Sequence, residues 1–179
     1  MDFDLQPHLI GNLLELRPLT PGDFAALHAA ANDPLLWAQH PEPDRWTPEV
    51  FRRYFDGAIA SGGAFAILDR STGRIVGSSR YCHLDPAGNE VEIGWTFLAR
   101  SHWGGKHNGE LKRLMIDHAL RFVERVVFVV GENNLRSQKA LEKIGARLRG
   151  RAAGTDRHGA PVANVVFEIT RAQWQDARR

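Results

Sequence analysis

The clearest hydrophobic pattern lies between Glu110 and Val123. Leu111, Leu114, Met115, Ala119, Phe122 and Val123 fall on one stripe, and Lys112, Arg113, Asp117 and Arg121 face away. This spacing predicts an amphipathic helix laid against a sheet. Val126 to Val130 follows as five apolar residues without polar alternation, which predicts a strand covered on both faces. A shorter helix is expected from Leu135 to Ile144, ending at Gly145, a residue suited to the left-handed position beyond a helix end. Two more strands, Arg147 to Arg151 and Val162 to Thr170, flank a loop from Gly154 to Gly159, and a final helical turn closes the chain.

The first half has a different rhythm. Leu13 to Leu16 is apolar and β-compatible, Pro18, Pro21 and Gly22 end it, and Asp23 caps a helical pattern from Phe24 to Ala31. Asn32-Asp33-Pro34 breaks that helix. A proline-rich loop from Pro41 to Pro48 leads to a helix from Glu49 to Ala60 with Thr47 as its cap, so Trp37, His40 and Trp46 belong to a loop region. Ala64 to Leu68, the turn Asp69 to Gly73, and Arg74 to Leu84 form a hairpin; Asp85-Pro86-Ala87-Gly88 turns into the strand Val91 to Phe97. Three antiparallel strands are followed by a strand–helix–strand unit whose two strands, Val91 to Phe97 and Val126 to Val130, should run parallel.

Length and composition narrow the classes. The 179 residues fit one domain spanning 1–179. The start Met1-Asp2-Phe3-Asp4 lacks a signal-peptide profile, no apolar run suits a bilayer, and a cytoplasmic location is expected. Cys82 is the single cysteine, which excludes an intrachain disulfide and a thiolate metal cluster. The net charge is +2, with Arg147, Arg149 and Arg151 as a basic stripe on one strand face.

The run Trp103-Gly104-Gly105-Lys106-His107-Asn108-Gly109 carries the first chemical signal. A strand that ends in a tight turn opening a helix aims unpaired N–H groups and the positive helix end at one spot, where anions collect. Glycines let the backbone approach a phosphate closely. A P-loop would need Gly at position 100 and Ser or Thr at 107, where this chain has Arg100 and His107. A dinucleotide fingerprint matches at Gly104 and Gly109, with Glu132 placed for a ribose, but Lys106 stands at the middle glycine position.

Beyond this turn the chain resembles the GNAT superfamily of N-acetyltransferases, in particular the Rim-type branch that acetylates ribosomal-protein N-termini. The resemblance spans nearly the whole chain: Leu14-Glu15-Leu16-Arg17-Pro18-Leu19 with Asp23, the Gly77 strand, Glu92-Ile93-Gly94-Trp95, the turn at Trp103-Gly104, Asn134-Leu135-Arg136-Ser137, and Ala140-Leu141-Glu142-Lys143-Ile144-Gly145-Ala146. It implies an α/β (α+β) fold with a mixed, mostly antiparallel central sheet of about seven strands flanked by helices. The parallel pair would splay to admit the pantetheine arm of acetyl-CoA. Backbone at Phe97 and Leu98 would pair with the arm, N–H groups of Trp103, Gly104, Gly105, Lys106, His107, Asn108 and Gly109 would receive the pyrophosphate, and Asn134 and Ser137 belong to the second cofactor motif. The superfamily's usual Arg or Gln and its final Gly or Ala are here Ser101 and Lys106; Lys106 could itself serve as a phosphate partner.

Acetyl transfer to an amine needs a base, a site for the oxyanion and a partner for the departing thiolate. A backbone N–H at the end of the Val91 to Phe97 strand would serve the oxyanion. Glu92, on a strand whose Val91, Ile93, Trp95 and Phe97 share the opposite face, resembles the family's base; a water or His83, a histidine suited to base work near neutral pH, is the alternative. Leu141 stands where many relatives carry a tyrosine acid, and the resemblance places the Ser137 hydroxyl near the CoA sulfur. His102 and His107 are five apart, off one helical face, and no metal is implied. Trp37, Trp46 and Trp95 are candidates to line an acceptor pocket. The expected partners are acetyl-CoA and a primary amine, either a ribosomal or other protein N-terminus or a small molecule; a homodimer is compatible with this, whereas membrane and direct nucleic-acid binding are not expected. The alternative from another class is a non-catalytic acyl-CoA-binding sensor.

Overall fold

The computed structural model describes residues 3–155 and 158–177, so Met1-Asp2 and the centre of the loop expected at 154–159 lie outside it. The chain runs β1 (Leu9–Ile10), β2 (Leu14–Pro18), α1 (Phe24–Ala31), α2 (Pro34–Trp37), α3 (Pro48–Ala60), β3 (Ala64–Asp69), β4 (Ile75–Asp85), β5 (Glu90–Leu98), α4 (His107–Ala119), β6 (Arg125–Gly131), α5 (Leu135–Lys143), β7 (Arg147–Thr155), β8 (Pro161–Thr170) and α6 (Arg171–Asp176). The strands form one sheet in the order β1-β2-β3-β4-β5-β6-β8-β7. It has eight strands where about seven were expected, because β1 is only two residues long and becomes a strand by pairing with β2. Every neighbouring pair is antiparallel except β5 and β6.

Alternation along the strands builds a core on each face. In β3, Phe65 and Ile67 enter the layer beneath α4 with Leu111, Met115 and Ile116, whereas Ala64 and Ala66 meet Leu27, Phe51 and Phe55 of α1 and α3. Small residues on that second face leave room for the aromatic side chains of α3. Asp23, at the start of α1, accepts two hydrogen bonds from Arg17 at 2.7 and 2.8 Å, which fixes the turn between β2 and α1.

Three local departures matter for the site. First, Asp33 accepts from the Leu35 N–H and Pro34 takes the first helical position, so the expected breaker starts α2 and Trp37 is helical and buried. Second, α4 begins at His107, three residues before the expected start at Glu110, and ends at Ala119; the carbonyls of Leu120 and Val123 are held by Arg171. Third, β5 is bulged at Trp95, a non-glycine residue at φ +56°, opposite a register shift between Ser78 and Arg80. The Tyr54 hydroxyl donates to the Trp95 carbonyl at 2.8 Å and anchors the bulge. Its consequence corrects the expected common face of Val91, Ile93, Trp95 and Phe97: Val91 and Ile93 lie in the α4 layer, Trp95 is exposed, and Phe97 joins the α1–α3 layer. Gly145 has φ +87°, the left-handed conformation expected at the end of α5.

The basic stripe on β7 is ion-paired. Arg149 reaches Glu90 of β5 at 2.7 Å and Arg151 reaches Glu132, just past β6, at 2.6 Å, so acidic residues account for those two charges.

Candidate active site: the cleft between the splayed strands

β5 and β6 pair through only three residue pairs, Glu90 with Arg125, Val91 with Val126 and Glu92 with Val127. Beyond them the strands part. Val126, Val127 and Phe128 are buried as a doubly covered strand should be, but Val129 is 38% exposed because it faces the gap. A cavity of about 990 Å³ forms the mouth of this gap and one of about 170 Å³ lies nearer the vertex where the strands part; Thr96, Asn108, Asn134, Ser137 and Ala140 stand in the walls of both. A backbone edge inside such a gap carries N–H and C=O groups with no strand partner, which a ligand with amide groups can supply.

The mouth is built by the glycine turn and α5. Gly104 sits at φ +70° with open space where a side chain would stand. The first turn of α4 leaves its N–H groups without intrahelical acceptors. Trp103 donates its indole N–H to the Leu98 carbonyl at 2.9 Å, and the Arg136 guanidinium stacks 4.0 Å above its ring while donating to the Leu36 carbonyl at 3.1 Å. Partial burial pushes the Arg136 pKa down from its ordinary value. Lys139 and Lys143 add two further cationic side chains to this wall. The three basic residues of α5 were not recognised as site residues in the sequence, although their i, i+3, i+7 spacing puts them on one helical face.

Of the expected cofactor residues, Phe97, Leu98, Trp103, Gly104, Gly105, Asn108, Gly109, Asn134 and Ser137 line the cleft. Lys106 and His107 are not in its walls: Lys106 precedes α4 as an exposed residue, and His107 packs its ring 4.7 Å from that of His102. Asn134 caps α5, accepting from the Ser137 N–H at 3.3 Å; the Ser137 hydroxyl makes no hydrogen bond among the described residues and lies between the two cavities.

Glu92 occupies the vertex of the splay, one residue before Ile93 enters the cavity wall. Its carboxylate is nearly buried and meets His83 Nδ1 at 2.7 Å, while the His83 side chain is largely exposed. The two candidate bases therefore form one hydrogen-bonded pair. Burial, with Glu92 adding to it, pushes the neighbouring Cys82 thiol up to about 12. Cys82, His83 and Glu92 have ligand-type atoms within 4.8 Å of one another, as do Asp69, His102 and His107. The second group corrects the separation expected for the two histidines, since the turn before α4 folds them together and His102 Nε2 bonds Asp69 at 2.9 Å. On the α1–α3 side, Arg45 packs 5.2 Å from Trp37, 5.0 Å from Tyr54 and 5.5 Å from Trp95. Trp46 stands apart from this group, packing against the α1–α3 core.

Lys112 departs most from the sequence reading. Expected on the solvent face of α4, it is buried and its Nζ donates to Thr96 Oγ1 at 3.0 Å, 5.2 Å from the centre of the Phe128 ring. Burial alone lowers its pKa to about 8. Asn108, Lys112 and Ile116 are spaced by four, a row of α4 that the apolar stripe did not include.

A sheet opened between two parallel strands, with a glycine turn and a basic helix at its mouth, forms a cleft that can receive an extended anionic ligand. Residues 14–147 match the family described as the acetyltransferase (GNAT) domain, and the chain belongs to that family. Among solved structures, it is similar to a GCN5-related N-acetyltransferase from Brucella melitensis, at 20% identity and TM-score 0.84, over 95% of this chain and 81% of the other. A structure described as a putative acetyltransferase from T. thermophilus matches at 29% identity and TM-score 0.79, over 96% and 94%. RimJ of Mycobacterium smegmatis, solved in complex with CoA-disulfide, matches at 21% identity and TM-score 0.69, over 93% and 90%.

Proposed function

We propose that this protein is an acetyl-CoA-dependent N-acetyltransferase of one domain that moves the acetyl group directly to a primary amine. The observation that carries the proposal is the loss of β5–β6 pairing after Glu92, beside a mouth lined by Gly104, Arg136, Lys139 and Lys143. In this reading the pyrophosphate is held by the N–H groups opening α4 and by the α5 cations. The arm pairs with β5 at Thr96 to Leu98. Glu92, hydrogen-bonded to His83, receives the proton released by the amine, and Ser137 donates to the sulfur. The acceptor, such as a peptide N-terminus, approaches from the side of Trp95, the exposed member of the group that Arg45 packs against. The test is release of free thiol from acetyl-CoA across a panel of peptides with free N-termini and small amines. Turnover with any member supports the reading; CoA binding without turnover on any member would favour the sensor, and no CoA binding would remove both.

A further inference from the structure

The part of the cleft nearest the vertex contains one ionisable side chain, that of Lys112; the other side chains in its wall are apolar or neutral. Its single protein partner among the described residues is Thr96 Oγ1, itself bonded to Ser79 Oγ at 2.7 Å, so two of the three ammonium hydrogens have no protein acceptor. A buried ammonium without a carboxylate is costly, and side chains this deep are ordinarily paired. Glu92 does not serve, since it bonds His83 and projects from β5 on the face opposite Ile93. A ligand anion in the cavity would supply the missing counter-charge, and in the acetyl-CoA reading the arm that enters at Gly104 and Arg136 ends there.

We infer that Lys112 is a catalytic residue that holds the CoA sulfur as a thiolate. This inference rests on the acetyl-CoA reading above. During transfer the amine nitrogen bonds the thioester carbonyl carbon, and the carbon–sulfur bond breaks with its electron pair passing to sulfur. The amine's proton leaves through Glu92, and the new negative charge on sulfur meets the ammonium of Lys112. The groups facing Lys112 are Thr96 from β5, Ser79 from β4 behind it, Phe128 from β6, Asn108 from its own helix, and Asn134 and Ser137 beside α5; none of them is charged. With its pKa lowered to about 8 by burial, Lys112 keeps its proton at neutral pH, and an ammonium beside the sulfur favours the thiolate and lowers the thiol's pKa.

The test uses the whole protein with unacetylated CoA and follows thiolate formation against pH by ultraviolet absorbance, supported by the rate of thiol alkylation. The bound thiol is expected to titrate about one unit or more below the free thiol, a roughly tenfold greater thiolate fraction at pH 7. Lys112→Met should return the bound thiol to or above its free value, and Lys112→Arg should retain at least half of the shift. If Lys112→Met does not fold, the parent and Lys112→Arg still decide. A bound thiol in the parent that titrates as free CoA, or the same shift in parent and Lys112→Met, would overturn the inference and leave the acetyltransferase reading standing. Failure of CoA to bind the parent would overturn both.

Discussion

The two edges of β6 behave differently although one run of valines forms both. Toward β8 the strand is zipped through seven residue pairs, from Arg125 with Thr170 to Gly131 with Asn164. Toward β5 it holds three. The zipped edge carries the fold, with Phe128 opposite Phe167 and both buried; the open edge borders the candidate site, with Val129, Val130 and Lys112 lining a cavity. In the proposed reading stability and binding are drawn from opposite sides of the same strand, and substitutions on the two sides should separate them.

The largest effect is expected at the zipped edge. Phe167→Ala removes a buried aromatic ring and should cost about 3–5 kcal/mol in denaturant unfolding, with CoA affinity of the folded fraction unchanged; comparable loss of affinity would break the separation. Lys112→Met, at the open edge, should act in the opposite sense on stability. The unfolded chain keeps the lysine proton up to about pH 10.4, the folded chain only to about 8, so the parent bears the full cost of the buried charge below pH 8 and is relieved as pH rises toward 10.4. The substitution should therefore stabilise by roughly 2–3 kcal/mol at pH 7, with the gain fading by pH 10. An unfolding titration of both proteins against pH checks the sign. Glu92→Gln should lower kcat by roughly 10²-fold with little change in KM for acetyl-CoA, the signature of a lost base. The smallest effect is expected at the mouth, where Arg136→Ala should raise the Kd for CoA by about tenfold, roughly 1.4 kcal/mol.

How much of this the sequence carries depends on whether the signal is local. The valine run of β6, the glycine ending α5 and the hairpin around Asp69 to Gly73 are determined by neighbouring residues, and each was read within a residue or two. The cap Asp33 with Pro34 at the first helical position was an available local signal for α2 that a reading of Pro34 as a breaker passed over. The splay between β5 and β6, by contrast, is a missing interaction between segments more than 30 residues apart, and only the family resemblance implied it. The bulge at Trp95 reverses the face of Phe97, yet nothing in the residue type announces a positive φ at a tryptophan. Lys112 was placed outside because charge argues for solvent. A charge buried against that preference marks a site at which stability and function diverge.

The central claim is that the open edge of β5 and β6 is where the cofactor arm lies. Amide hydrogen exchange, resolved to single residues and recorded with and without CoA, tests it most directly. Binding should slow exchange at the cleft edge of Thr96 to Leu98 and in the first turn of α4, and leave the β6–β8 ladder, already protected, unchanged. CoA binding that protects neither of these segments would contradict the account.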